Sequence, residues 1–200
     1  AVLTDKGWEL SGVKDCVPAG MLADRILVPA TTKDGQVIIA LVEATSPGVT
    51  RERQNTTNGH PEARFTLASV EVGEQEIIGT PDSGLDILHW LVERATAALT
   101  AIAVGVCEES VRMTAEYTKT REQFDRPIAT FQAVGQRAAD AYIDTEAVRL
   151  TAWQAIWRLS EDLPATVEVA VAKFWASEGG QRVVHAAQHL HGGMGVDRDY

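Results

Sequence analysis

The sequence predicts an α+β chain: a small antiparallel β barrel or sandwich over residues 1–80, then an antiparallel long-helix bundle of the four-helix type over 81–200. Three observations predict it. Short β-branched runs separated by turn residues fill the first part. At Asp82 the apolar period changes to helical spacing. From there the periodic segments are long, and breakers at Pro127 and Pro164 separate them.

The elements follow in order. Trp8-Glu9-Leu10-Ser11-Gly12-Val13 alternates as a strand does. Arg25–Val28 and Val37–Val42 are two further strands, with Lys33-Asp34-Gly35 turning between them as a hairpin. Ser46-Pro47-Gly48 is a second breaker, and Arg64–Val72 is another strand. Leu85, Leu88, Leu91, Val92, Ala95, Ala98, Leu99, Ile102 and Val106 share one helical stripe, started by Pro81-Asp82-Ser83 and continuing to about Lys119. A second helix is expected from about Thr130, its N-cap, to Leu159. A third is expected from Pro164 to about His189. Alanine at facing positions permits close helix approach.

Bulk properties exclude some classes. In 200 residues there is room for one large domain or two small ones. A net charge of −10 argues against a nucleic-acid partner, whose binders concentrate Lys and Arg, but leaves room for a phosphorylated ligand at a local basic group. No solid apolar run approaches the roughly 20 residues of a membrane span. Cys16 and Cys107 stand isolated, which points to a reducing, cytoplasmic setting. Ala1 is not an initiator Met, and Lys6–Leu10 reads as a β-meander under way. The sequence thus reads as a piece of a longer protein, its β domain incomplete at the N-terminus and its last helix lying outside.

Two segments carry chemistry. Arg121-Glu122-Gln123-Phe124-Asp125-Arg126-Pro127-Ile128, followed by Phe131-Gln132, separates two long helices. By itself it is an interhelix loop with a capping arginine and a helix-stopping proline. It also offers a planar, always-charged guanidinium for a pyrophosphate and an aromatic ring for a base. His189-Leu190-His191-Gly192-Gly193-Met194-Gly195 closes the third helix. Alone, it is a helix cap and turn.

In this order and at this distance, the two segments resemble the acyl-CoA dehydrogenases, over nearly the whole chain. There the pattern is Arg-x-x-Phe-Gly with a Gln shortly after, and later Gln-x-x-Gly-Gly-x-Gly. The resemblance implies that Arg121, Phe124 and Gln132, with Gln123 as a further donor, hold the adenosine diphosphate half of a neighbouring subunit's FAD. It implies the same for His189, which stands at the family's Gln position, and for Gly192 and Gly193. Asp125 departs from the usual Gly, and its carboxylate must point away from the phosphates or weaken binding.

A third stretch, Lys14-Asp15-Cys16-Val17-Pro18-Ala19-Gly20, departs further. The family usually reads Lys-x-Trp-Ile-Thr-Asn-Gly here, with the aromatic residue on the flavin ring and the hydroxyl near N5. Cys16 has no ring surface, and Pro18 has neither hydroxyl nor backbone N–H. The catalytic Glu is a second gap: registering on Arg121 puts Ala95 at one family position, and the other lies past Tyr200. No catalytic residue is assigned.

The resemblance implies FAD-dependent α,β-dehydrogenation of an acyl-CoA thioester, homologous subunits in a homo- or heterotetramer, and an electron-transfer flavoprotein as acceptor. The asymmetric departures point to the auxiliary subunit of a heteromeric enzyme of the actinobacterial type. Two alternatives stay open: a catalytic homotetramer with its Glu beyond residue 200, and a non-enzymatic scaffold of the same fold. Paired Glu-x-x-His metal motifs are absent, and His185 and His189 read as solvent or interface residues. Trp153, Trp157 and Trp175 read as core or interface aromatics.

Overall fold

Alternation governs the first part of the computed structural model, which describes residues 1–197 and 199. Its compact unit covers Ala1–Leu91. Strand β6 (Glu62–Val72) buries Ala63, Phe65, Leu67, Val70 and Val72. The step from Leu67 to Val70 breaks the period of two. There the register with β2 (Gly7–Val17) shifts between Leu10 and Gly12, and Ser69 takes φ 52°. An extra residue has been inserted as a bulge.

Strands β1 (Val2–Thr4), β2, β6 and β5 (Val49–Gln54) form one antiparallel sheet in the order β1-β2-β6-β5. Strands β3 (Arg25–Thr31), β4 (Val37–Glu43) and β7 (Ile77–Ile78) form a second, in the order β3-β4-β7. Leu10, Phe65 and Val70 from the first share one core with Ile26, Val28, Ile38 and Val42 from the second. The arrangement is a sandwich, and no closed barrel is present among the described residues. The expected hairpin is there, with Gly35 at φ 81° and the Thr32 amide donating to the Gln36 carbonyl at 2.9 Å.

The second compact unit covers Val92–Tyr200 and contains most of α1 (Gly84–Thr120), then α2 (Gln132–Ser160) and α3 (Thr166–Leu190). Small residues let the helices meet. Ala97, Ala155, Ala165 and Ala172 make one buried cluster, and Val104, Cys107, Val148, Ala152 and Val183 make another. A Cβ on Gly179 would sit 3.2 Å from Val148 and 3.1 Å from Trp175, so glycine sets the α2–α3 approach here. Arg182 binds Asp144 bidentately at 2.7 and 2.6 Å across the same pair. Arg158 closes the α2–α3 loop, donating to the Pro164 carbonyl at 2.7 Å.

Two sequence expectations need correcting. Thr130 is not the N-cap of α2. It lies in a 3₁₀ turn, Ile128–Thr130, and its hydroxyl donates back to the Pro127 carbonyl at 2.7 Å, leaving Phe131 to cap. Helix α1 is also long and apolar enough to cross a membrane by length and composition alone. Alanine and threonine interleave its apolar residues, so it does not read as a solid run. One such helix is weak evidence: Ala97, Val104 and Cys107 bury one face in the bundle core, while Leu85, Leu99, Ile102 and Val106 of the expected stripe stay exposed.

Candidate functional site

The last turn of α1 fixes Arg121. Its backbone N–H donates to the Tyr117 carbonyl at 2.8 Å, and its carbonyl accepts from Ile128 at 2.8 Å. Between those anchors the chain makes a two-residue hairpin, β8 (Glu122–Gln123) against β9 (Arg126–Pro127). Phe124 and Asp125 both lie in the left-handed region, as a type I′ turn requires. The sequence suggested only a loop, because Phe-Asp is not a sequence that announces such a turn. Phe124 stands at the tip with 87% of its surface exposed. Its ring meets Phe131 edge-on at 6.1 Å, and the Arg126 guanidinium covers Phe131 at 4.2 Å.

The end of α3 supplies the opposite wall. His191 is its C-cap, and Gly192 follows at φ 61°, a left-handed step that glycine takes without strain. The turn then folds back so tightly that a Cβ on Gly195 would lie 2.3 Å from the Gln188 carbonyl oxygen. Gly192 and Gly193, by contrast, have nothing within 4 Å of an added Cβ. That open backbone lets a ligand approach closely.

Between the walls lies a cleft of about 420 Å³ lined by Tyr117, Arg121, Gln123, Ile128, Leu190, His191, Gly192, Gly193 and Met194. Four of the expected residues therefore meet in one place: Arg121, Gln123, Gly192 and Gly193. Three do not line it. Phe124 projects from the hairpin tip, Gln132 is the exposed first residue of α2, and His189 is exposed on the last turn of α3. His191, two residues on, takes the place in the cleft. Sequence reasoning missed it, although it stood inside the quoted glycine segment, and missed Tyr117, one helical turn before Arg121. An arginine and an unobstructed glycine turn lining one cleft make an arrangement that can bind an anion, and the cleft has room for a diphosphate.

The strand end at Cys16 is built differently. Cys16 sits at φ 51° in a second β2 bulge, and its N–H donates to the Gln54 side chain at 2.7 Å. Gln54 also donates to Asp15 at 3.3 Å, and Arg64 donates to the same Asp15 oxygen at 2.5 Å. That bond, together with the Asp15 charge, holds the Arg64 guanidinium even more firmly protonated than usual. The Cys16 amide is thus consumed within the domain, and Pro18 has none to offer. Nothing here matches an aromatic and hydroxyl contact to a flavin ring.

Ala95, at one family position for the base, is exposed on α1. Glu93 accepts from the Thr166 hydroxyl at 2.9 Å and lies 3.9 Å from Arg94. It is a helix-packing carboxylate. Among the described residues no group of His, Cys, Asp and Glu is placed to hold a metal ion.

Comparison with known proteins adds the following. Residues 82–200 match the family described as acyl-CoA dehydrogenase, C-terminal domain. The chain is 44% identical over 205 residues to the acyl-CoA dehydrogenase FadE27 of Mycobacterium tuberculosis, a match covering 98% of this chain and 54% of that protein. It superposes with a TM-score of 0.94 on a chain of the ChsE4-ChsE5 complex from Mycobacterium tuberculosis, at 46% identity, covering 100% of this chain and 53% of the other. A structure of PigA with FAD and proline gives a TM-score of 0.91 at 25% identity, covering 98% of this chain and 53% of that one. The chain spans about half the length of the curated relatives it matches.

Proposed function

We propose a function for this chain, which belongs to the acyl-CoA dehydrogenase family: it grips the adenosine diphosphate half of an FAD whose flavin ring belongs to a neighbouring subunit. The observation that carries the reading is a contrast between two places. At the cleft, Arg121 and the open Gly192–Gly193 backbone line one space, which fits a pyrophosphate. At the β2 bulge, Cys16 and Pro18 do not fit a flavin ring, because one amide is engaged by Gln54 and the other does not exist.

In this family bound FAD supplies the acceptor for a hydride from the β-carbon of an acyl-CoA, as a carboxylate removes the α-proton. This chain's part is binding and orientation. Arg121 neutralises phosphate charge, Gln123 offers a further amide, and the glycine turn admits the ligand to backbone contact. The assembly is a heterotetramer of homologous subunits, with an electron-transfer flavoprotein as acceptor, in a reducing, cytoplasmic setting. Phe124 at the hairpin tip, Gln132 and His189 reach the same cofactor half from outside the cleft. Residues 1–80 belong to the middle β domain and 81–200 to the helical domain.

Two further facts support an assembly. The ChsE4-ChsE5 structure is a complex. Trp153 and Trp157 leave 57% and 55% of their surface exposed on α2, beside Leu150. Apolar surface of that kind calls for cover, from a neighbouring subunit or from the rest of the same protein.

The test is purification of the full-length protein that carries this chain, alone and with its partner. Little bound flavin alone, and a restored flavin absorbance with the partner, is the expected result. Full flavin loading and dehydrogenation by the protein alone would overturn the heteromeric reading in favour of a catalytic homotetramer. Arg121→Ala without any effect on flavin retention would instead favour a scaffold.

A further inference from the structure

Tyr117 makes three contacts that span both walls of the cleft. Its backbone carbonyl accepts the Arg121 N–H at 2.8 Å, fixing the turn from which that guanidinium extends. Its ring stacks on His191 with centroids 4.4 Å apart and planes 23° from parallel. Its hydroxyl donates to the His191 carbonyl at 3.3 Å, 74 residues further along the chain. That carbonyl belongs to the peptide linking His191 to Gly192.

His191 is itself held from the helix side. Its backbone N–H donates to the Ala187 carbonyl at 3.1 Å, and its Nδ1 lies 2.8 Å from the same oxygen. A carbonyl can only accept, so Nδ1 carries the hydrogen in that bond. The ring is then fixed in rotamer and tautomer, and only 8% of the residue is exposed. Stack, hydroxyl bond and ring bond all meet at His191, the residue from which α3 turns into Gly192.

We infer that Tyr117 and His191 are positioning residues: they hold Arg121 and the Gly192–Gly193 turn at one spacing, so that both sides meet the same anionic ligand. Without them, α1 and the glycine turn would have to find the ligand separately, and ordering them would cost affinity. The inference rests on the reading of the cleft as a diphosphate grip. It assigns the pair no direct contact with the ligand.

A double-mutant cycle tests it, using the full-length protein co-purified with its flavin-bearing partner and following FAD release by flavin fluorescence on dilution. Arg121→Ala should weaken FAD binding on the order of tenfold, the scale of a charge-assisted bond. Tyr117→Leu should weaken it by roughly fivefold, yet add less than about twofold to Arg121→Ala, because both changes disable one grip. Tyr117→Phe keeps the stack and should recover most of the binding. His191→Gln serves as a milder second variant should Tyr117→Leu fold poorly.

Losses that simply add would make the pair local packing and overturn the inference. So would parent-like binding by both Tyr117→Leu and His191→Gln while Arg121→Ala binds weakly; the diphosphate reading would then stand alone. If Arg121→Ala itself binds FAD as the parent does, the reading of the cleft fails first and the inference with it.

Discussion

Phe124 and Asp125 occupy successive left-handed backbone positions, φ 55° and 63°, and close a hairpin with no residue to spare between Gln123 and Arg126. Glycine and asparagine take such positions with least strain, and a side chain there costs roughly 1–2 kcal/mol in general, less for Asp. Asp125→Gly should therefore stabilise the protein by about 0.5–1 kcal/mol. It also removes a carboxylate from the segment beside an anion cleft, so flavin retention should rise. Denaturant midpoints and flavin content check both; a lower midpoint would mean that Asp125 makes a stabilising contact absent from this hairpin.

The glycines of the second wall should separate fold from function. Gly195→Ala places a Cβ 2.3 Å from the Gln188 carbonyl, an atom that cannot swing away. A loss of about 1–3 kcal/mol is expected, the range for forced overpacking. Gly193→Ala meets no neighbour within 4 Å and should leave stability nearly unchanged. Its added methyl stands where a ligand approaches, so flavin retention should still fall. Equal stability losses in the two variants would refute the distinction.

The two thiols should react on different timescales. Cys16 is exposed, whereas Cys107 is 1% exposed in the bundle core. Burial pushes the Cys107 thiol upward, with Asp144 and Glu108 adding to it. A pKa raised on folding favours the neutral thiol. Its contribution to stability is whole below the unfolded value of about 8.5 and is lost as pH rises through the folded one. A disulfide-exchange reagent at neutral pH should modify one thiol per chain natively and two in denaturant. Two native equivalents would show that the α1–α2–α3 contact opens readily.

Acid should weaken the helices for a nameable reason. Hydrogen bonds from Arg112 hold Glu109 below the ordinary carboxylate range, and Arg149 does the same for Glu146. A depressed folded pKa gives stability that is present above the unfolded value, about 4.3, and lost as pH falls through the folded one. Thermal midpoints should therefore fall below about pH 4. Glu109→Gln and Glu146→Gln together should flatten that limb, and salt should flatten it in the parent, more at the exposed Arg112–Glu109 pair than at the half-buried Arg149–Glu146 pair. An unchanged acid limb in the double variant would place the acid sensitivity elsewhere.

Much of this architecture was legible from periodicity. The alternation of Arg64–Val72 mapped onto a real strand because burial of one face dictates that pattern; the stripe from Leu85 to Val106 also lies on a real helix, but the face that α1 buries carries Ala97, Thr100, Val104 and Cys107 instead. Strand β5 was not legible: Val49-Thr50-Arg51-Glu52-Arg53-Gln54 is polar and mostly exposed, and it is a strand only because β6 pairs with it. The β8–β9 hairpin was hidden by its turn residues. Within the site, motif spacing brought Arg121, Gln123, Gly192 and Gly193 to one cleft but favoured His189 over His191. One residue of helix is a rotation of about 100°, and spacing alone does not say which side of the last turn faces Arg121. Tyr117 escaped notice because an aromatic at the end of a helix carries no signal until its partner, 74 residues away, is in view.

The joint at Tyr117 also bears on how such a protein can change. Its main chain serves one wall of the cleft and its side chain the other. Grafting the Arg121 hairpin onto another scaffold would therefore transfer the charge but leave behind what aligns it. A successful graft must carry three pieces together: the last turn of α1, the hairpin, and the His191–Gly195 turn. In a lineage, those distant stretches are expected to vary as one unit rather than piecemeal.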